Sequence, residues 1–194
     1  QFIQYLHSIS MPFTLLTNDA CHSPVEKVAF LKNSGTEVRP DEIVSCGHGL
    51  IEMAAERGWS SRTFFLMGTL GNPCFAVAAG LNVTTDLENV DECDGVVVGE
   101  KEYDWYSVIH AVFNAFTRRP DKPLVVPNPD EFFPSGPRTL GIASGAVGRF
   151  LQRLCAVYGV EKEPIYLGKP YEPIFRYTHH HLEERLGDRI SRER

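Results

Sequence analysis

The chain has 194 residues, enough for one large domain or two small ones, and its 43% apolar and 23% charged content is that of a globular protein. A net charge of −6 argues against a general nucleic-acid binder, which carries a basic footprint, yet leaves small anions open, because one local cation can hold them. No apolar run approaches the roughly 20 residues that span a bilayer, and the amino terminus lacks the basic start and long apolar core of a secretory signal. The five cysteines (Cys21, Cys46, Cys74, Cys93 and Cys155) are scattered, odd in number and without a CxxC pair. They read as free thiols of a reducing cytoplasm, not as a zinc knuckle or a disulfide framework.

Residues 2–9 have a helical pattern with Phe2, Ile3, Leu6 and Ile9 on one face. Phe13 to Leu16 is a short, mostly apolar run, which predicts a parallel-sheet strand buried on both faces. It ends on Thr17 and Asn18, a hydroxyl and an amide where parallel strands bind ligands. Ser23-Pro24-Val25-Glu26 is a capping box that opens a helix with Val25, Val28, Ala29 and Leu31 inward, stopped at Gly35. Ile43-Val44 is a short strand, and Ser45 caps a helix running through Leu50, Met53 and Ala54 to Gly58.

A second unit begins near Trp59-Ser60-Ser61. Its predicted elements are a strand over 63–67, a short helix over 73–79, a strand over 94–99, an amphipathic helix over 103–116 and a buried strand over 123–126. A helix over 146–158, a strand over 164–167 and a long helix over 171–186 follow, the last closed by Gly187. Alternating elements of this kind predict a parallel α/β architecture.

Four clusters carry candidate chemistry. Gly168-Lys169-Pro170 places a cation in a tight loop after a strand, where it would neutralise a phosphate. Gly141, Gly145 and Gly148 precede or open a helix, but not at G-x-G-x-x-G spacing, so close helix packing or a loop against a substrate is favoured over a nucleotide-cofactor oxidoreductase. His179-His180-His181 is read as solvated surface, since successive helical side chains point about 100° apart and three in a row cannot converge on one metal. Asn128-Pro129-Asp130 is a turn whose amide and carboxylate can meet a polar substrate.

Taken together and in order, Leu15-Leu16-Thr17-Asn18, the capped helix, Asp94-Gly-Val-Val-Val-Gly99, Asn128-Pro129-Asp130, the Gly-rich helix start and Gly168-Lys169-Pro170 resemble a NagD-like phosphatase of the haloacid-dehalogenase superfamily, subfamily IIA with a C2-type cap. The resemblance covers essentially the whole chain. It implies a Rossmann-like core interrupted by an α/β cap, with residues 1–60 and 165–194 in the core and 61–164 in the cap. It also implies a Mg²⁺-dependent phosphatase acting on a small phosphorylated metabolite, such as a nucleotide, phosphoglycolate, pyridoxal phosphate or nitrophenyl phosphate, through an aspartyl-phosphate. By that resemblance Thr17 and Lys169 are catalytic, binding and charge-balancing the phosphoryl group, while Asn18, Gly168, Asn128 and Asp130 contact the substrate. A homodimer through the cap is a further implication. Asp19 stands where the family usually has a second asparagine, adding negative charge beside the anion site.

The resemblance also marks a departure. No Asp-x-Asp occurs anywhere in the chain, so the nucleophile, the acid–base and the metal ligands are expected to be missing, and no metal-binding residue is assigned. The first residues read as the tail of a helix under way and the last as a polar connection, so both ends read as cuts in a longer chain. The expectation is an incomplete core with apolar-faced helices that are loose or completed by another chain, an autonomous cap and no turnover by the chain alone. The alternative from another class is a non-catalytic dimerisation or ligand-binding module.

Overall fold

A computed structural model describes residues 1–101 and 103–191. Helix α1 (Phe2–Ser8) leads into β1 (Leu15–Thr17), α2 (Pro24–Asn33), β2 (Ile43–Ser45) and α3 (Gly49–Glu56). Then come β3 (Thr63–Met67), α4 (Phe75–Ala78), β4 (Asn82–Thr84), β5 (Gly95–Val98), α5 (Trp105–Arg118) and β6 (Leu124–Val126). The chain continues through β7 (Phe132–Gly136), β8 (Thr139–Ile142), α6 (Ser144–Tyr158), β9 (Ile165–Tyr166) and α7 (Glu172–Leu186).

Two parallel sheets organise these elements. β1 and β2 pair in one, with Leu16 beside Val44 and Thr17 beside Ser45. The other has the order β4-β3-β5-β6-β9, parallel throughout. β9 bonds to β6 through Val125–Ile165 and Val126–Tyr166, so the second sheet runs two residues past the division drawn at 164.

The strands of this second sheet alternate between two apolar clusters, as the two-residue period of a strand requires. Phe64 and Leu66 of β3 face one cluster, and Phe65 and Met67 face the other. The second cluster is closed by Val112 and Phe116 of α5 and by Leu151 and Cys155 of α6. The first also contains Leu50 and Met53 of α3 and Ile174 of α7. The flanking core pieces are therefore packed onto the face of the large sheet and share its apolar interior, which differs from the loose packing expected of them.

Several local expectations are corrected. β1 is half-buried along its length, because β2 is its neighbour on one side and no strand pairs with it on the other among the described residues. α1 buries none of its residues, and Phe2 and Ile9 are exposed. α2 has the capping box, with Glu26 accepting from the Ser23 N–H at 2.7 Å, but Val25 is exposed and the buried side chain is Lys27. Lys27 enters because its ammonium donates to the carbonyl oxygens of Asp19, at 2.9 Å, and of His22. Ser45 does not cap α3; a 3₁₀ turn, Cys46–His48, intervenes, and the Ser45 hydroxyl donates to the Asp19 carbonyl. The hairpin β7–β8 occupies a stretch to which the sequence assigns no element, and it is exposed almost throughout.

Candidate active site

The carboxyl ends of strands from both sheets converge on one cleft of about 1110 Å³. β1 contributes Thr17 and Asn18, β5 contributes Glu100 and Lys101, β6 contributes Asn128 and Asp130, and β9 contributes Lys169. Strand ends are where parallel sheets expose polar groups to ligands, because the loops that follow them are free to vary.

Two cations line this cleft, the exposed Lys101 and the half-buried Lys169, which sits beside Thr17. The Lys169 ammonium donates to the Leu16 carbonyl at 3.1 Å and forms no ion pair among the described residues. The tether holds it beside Thr17, whose Oγ1 accepts the Asp19 N–H at 3.1 Å and keeps its own hydrogen for another partner. An unpaired ammonium and a hydroxyl hydrogen on adjoining strand ends form a seat for an oxyanion.

Asn18 is 8% exposed, and its amide is engaged on three sides. Oδ1 accepts from the Lys169 N–H at 2.8 Å, while Nδ2 donates to the Lys169 carbonyl and to Asp130 Oδ1, each at 3.0 Å. Both amide hydrogens are thus occupied by protein. Gly168 is buried and does not line the cleft; a Cβ there would stand 2.6 Å from Asn18 Oδ1, 2.7 Å from Pro129 Cδ and 2.9 Å from Cys46 Cβ. Glycine is required for this three-way approach.

Asp130 is exposed at the rim, and Asn128 is buried in the wall. Asn128 Oδ1 accepts from the Asp130 N–H at 2.9 Å, and its Nδ2 donates to Glu100 Oε1 at 2.9 Å. Ser144 donates to the same Glu100 oxygen at 3.1 Å. Burial pushes the Glu100 carboxyl above its ordinary value despite these two donors, and the nearby Asp19 charge adds to the rise.

Asp19, the departure from the usual asparagine, is compensated locally. Burial disfavours its charge, but Lys27 at 3.3 Å, His22 Nδ1 at 3.1 Å and the Cys21 N–H at 2.8 Å outweigh that and hold its carboxyl below the usual range. These contacts also decide against a divalent ion at this wall. Asp19, Cys21 and His22 bring ligand atoms within 4.8 Å of one another, yet an ammonium already occupies the carboxylate. Mg²⁺ takes a near-octahedral set of oxygens, and neither Asp19 nor the doubly hydrogen-bonded Glu100 is arranged to supply one.

Five of the six residues singled out in the sequence meet at this cleft, and Gly168 lies behind it. Glu100 and Lys101 were missed, although they follow the clearest strand of the chain by one glycine, the same signal that marked Thr17 and Asn18. Phe133 and Ile142 also line the cleft, brought there by the hairpin, which has no clear alternation in sequence. The glycine cluster serves close packing: Cβ atoms at Gly145 and Gly148 would lie 2.2 Å from the Pro129 carbonyl and 2.6 Å from Val126.

No family model matches the chain. An acid sugar phosphatase of Staphylococcus epidermidis is 27% identical over 174 residues, covering 90% of this chain and 62% of that protein. One from Staphylococcus haemolyticus is 28% identical over 174 residues, with 90% and 61% covered. The chain therefore spans about three fifths of the length of these relatives. Among solved structures, a glycerol phosphate phosphatase of Mycobacterium tuberculosis in complex with magnesium superposes with a TM-score of 0.77 at 21% identity, over 97% of this chain and 53% of that one. A p-nitrophenyl phosphatase of Archaeoglobus fulgidus gives 0.70 at 23% identity, over 96% and 65%. The sequence relatives and the fold agree with the ordered motifs: the chain is similar to the acid sugar phosphatases and shares the α/β fold of these solved phosphatases.

Proposed function

We propose that this chain forms most of a phosphatase that hydrolyses a small phosphomonoester, with Lys169 and Thr17 at the phosphoryl seat. The observation that carries this reading is the Lys169 ammonium, unpaired among the described residues and tethered 3.1 Å from the Leu16 carbonyl beside the Thr17 hydroxyl. Lys169 offsets the phosphoryl charge and Thr17 donates to a phosphoryl oxygen, which together lower the charge felt by an attacking group. Asn18 acts as a positioning residue, because its amide holds the Lys169 backbone. Asn128 and Asp130, with Glu100 and Lys101, form the wall that meets the leaving group. The relatives' names, acid sugar phosphatase and glycerol phosphate phosphatase, favour a small polyol or sugar ester over a nucleotide or phosphoglycolate.

The nucleophile is not among these residues, since the sequence contains no Asp-x-Asp. The chain by itself is accordingly proposed to bind a phosphate ester without turning it over. Mg²⁺ belongs to the proposal only for a polypeptide that adds the missing carboxylates, and no step is assigned to it here. A cytoplasmic setting rests on the five free thiols.

The test is hydrolysis of p-nitrophenyl phosphate and glycerol phosphate, with and without Mg²⁺, by the natural polypeptide that carries these residues, beside the 194-residue chain alone. Mg²⁺-dependent turnover is expected in the first and none in the second, with Lys169→Ala abolishing most of it. Turnover indifferent to Lys169→Ala overturns the reading.

A second reading, a non-catalytic dimerisation or ligand-binding module, draws on the hairpin, where Phe132, Phe133, Leu140 and Ile142 are all exposed. Both readings accommodate a homodimer through this surface. Self-association by sedimentation velocity, without any phosphate-dependent shift of the Lys169 resonances, favours the second.

A further inference from the structure

The histidine run on α7 is not uniform surface. His181 turns to the Asp41 carbonyl, with Nε2 at 2.7 Å. His179 and His180, with Glu183 one turn on, each bring a ligand atom within 4.8 Å of the others. The 100° step between neighbours prevents all three histidines from meeting, but it permits two of them to flank a residue at the i+4 position.

Two further observations concern the ring nitrogens. His179 Nε2 lies 3.0 Å from the Ile190 carbonyl, which only accepts, so this nitrogen carries hydrogen. In the neutral ring Nδ1 then presents a lone pair. That atom is sealed from solvent, has no hydrogen-bond partner among the described residues, and faces Glu183 Oε2 at 3.6 Å. Two acceptors in contact, one of them buried, need a positive species between them. His180 Nδ1 lies 2.6 Å from Glu52 Oε1, and Glu52 is itself held by Arg176 at 2.6 Å. A backbone carbonyl behind one histidine and a carboxylate behind the other is the outer arrangement that orients metal-ligating imidazoles.

We propose that His179, His180 and Glu183 form a binding site for a divalent transition metal of the zinc class, with water completing four-coordination. The site is remote from the cleft in role. Glu183 Oε1 accepts from the Ile190 N–H at 3.1 Å, and His179 engages the Ile190 carbonyl, so two of the three ligands grip one residue beyond the helix. A bound ion clamps the segment after Gly187 against α7.

The experiment is a Zn²⁺ titration of the metal-stripped 194-residue chain, followed by calorimetry and by imidazole nitrogen shifts in NMR, with Co²⁺ as an optical probe. One equivalent is expected to bind, shifting the His179 and His180 nitrogens and slowing exchange of the Ile190 amide. His179→Gln is expected to weaken binding at least tenfold. Glu183→Gln, which keeps an oxygen for the Ile190 N–H, is expected to do the same without unfolding the helix, and Cys21→Ser is expected to have no effect. Equal Zn²⁺ affinity in wild type, His179→Gln and Glu183→Gln overturns the proposal. So does thiolate charge-transfer absorption from bound Co²⁺, or a His179 ring that is doubly protonated and unmoved by Zn²⁺.

Discussion

Asn18 and Lys169 are joined in a reciprocal pair: the Asn18 amide oxygen accepts the Lys169 N–H at 2.8 Å, and its nitrogen donates to the Lys169 carbonyl at 3.0 Å. The two residues are 151 positions apart, so this pair closes most of the chain into one loop. A third bond, to Asp130, ties the same amide to the foot of the β7–β8 hairpin. Asn18→Ala removes all three, and at about 1 kcal/mol each the loss amounts to a few kcal/mol. Asn18→Asp is expected to be worse, because it sets a carboxylate oxygen against the Lys169 carbonyl and the Asp130 carboxylate. Thermal unfolding of the three proteins checks the order, and phosphate titration should show Lys169 losing its affinity in both variants. Wild-type phosphate affinity in Asn18→Asp would sink the positioning role.

Gly168→Ala tests the same loop from behind. The added methyl meets Asn18 Oδ1, Pro129 and Cys46 within 2.9 Å, and none of the three is the end of a flexible chain. The loop must shift outward, carrying Lys169 away from Thr17. The expected result is a destabilisation of about 1–3 kcal/mol together with a loss of phosphate binding. Unchanged binding would mean that the loop tolerates displacement.

His48 provides an acid-sensitive contact. Burial lowers its pKa from 6.5 to about 4, against the Ser45 carbonyl 3.1 Å away, while its ring packs on Phe75 at 4.8 Å and Tyr177 at 5.0 Å. The unfolded chain takes up a proton below pH 6.5 and the folded chain only near pH 4, so the neutral ring favours folding at neutral pH. That contribution, of order 3 kcal/mol, is lost as pH falls from 6.5 to 4. A His48→Gln variant should show a flatter stability curve across this window in urea titrations.

Glu100 behaves in the opposite sense. Its carboxyl is held above the ordinary 4.5 by burial, so the folded chain protonates it more readily than the unfolded chain does. Stability from this group is present at low pH and falls as pH rises through the raised value. Glu100→Gln keeps an oxygen for Asn128 and Ser144 without the charge. It is expected to raise the midpoint of thermal unfolding at pH 8 and to leave it nearly unchanged at pH 4. A lower midpoint at pH 8 would mean that the carboxylate is better accommodated than its burial implies.

Much of this molecule was legible in sequence because local chemistry was sufficient to specify it. The Ser23–Glu26 capping box, the apolar run after Asp94, the α5 stripe of Val108, Val112 and Phe116, and Gly187 at the end of α7 are each set by neighbours within a few residues. The ordered motifs likewise placed Thr17, Asn128 and Lys169 at strand ends, which is where the sheets hold them.

What the sequence did not determine depends on contacts across long separations. That Asn18 grips Lys169 could not be read from either residue, because an amide shows no partner until the chain closes. No local pattern marks Lys27 for burial, yet two carbonyl oxygens and Asp19 bring it inside. Glu100 carries no signal of burial in the sequence, and only the approach of Asn128 and Ser144 makes it a buried wall of the cleft. The histidine run showed three rings in sequence, but the fold selected two of them with Glu183, through Ile190 and Glu52. Backbone pattern is a short-range property of the chain, whereas the burial and pairing of polar groups are decided by which distant segments the tertiary structure brings against them.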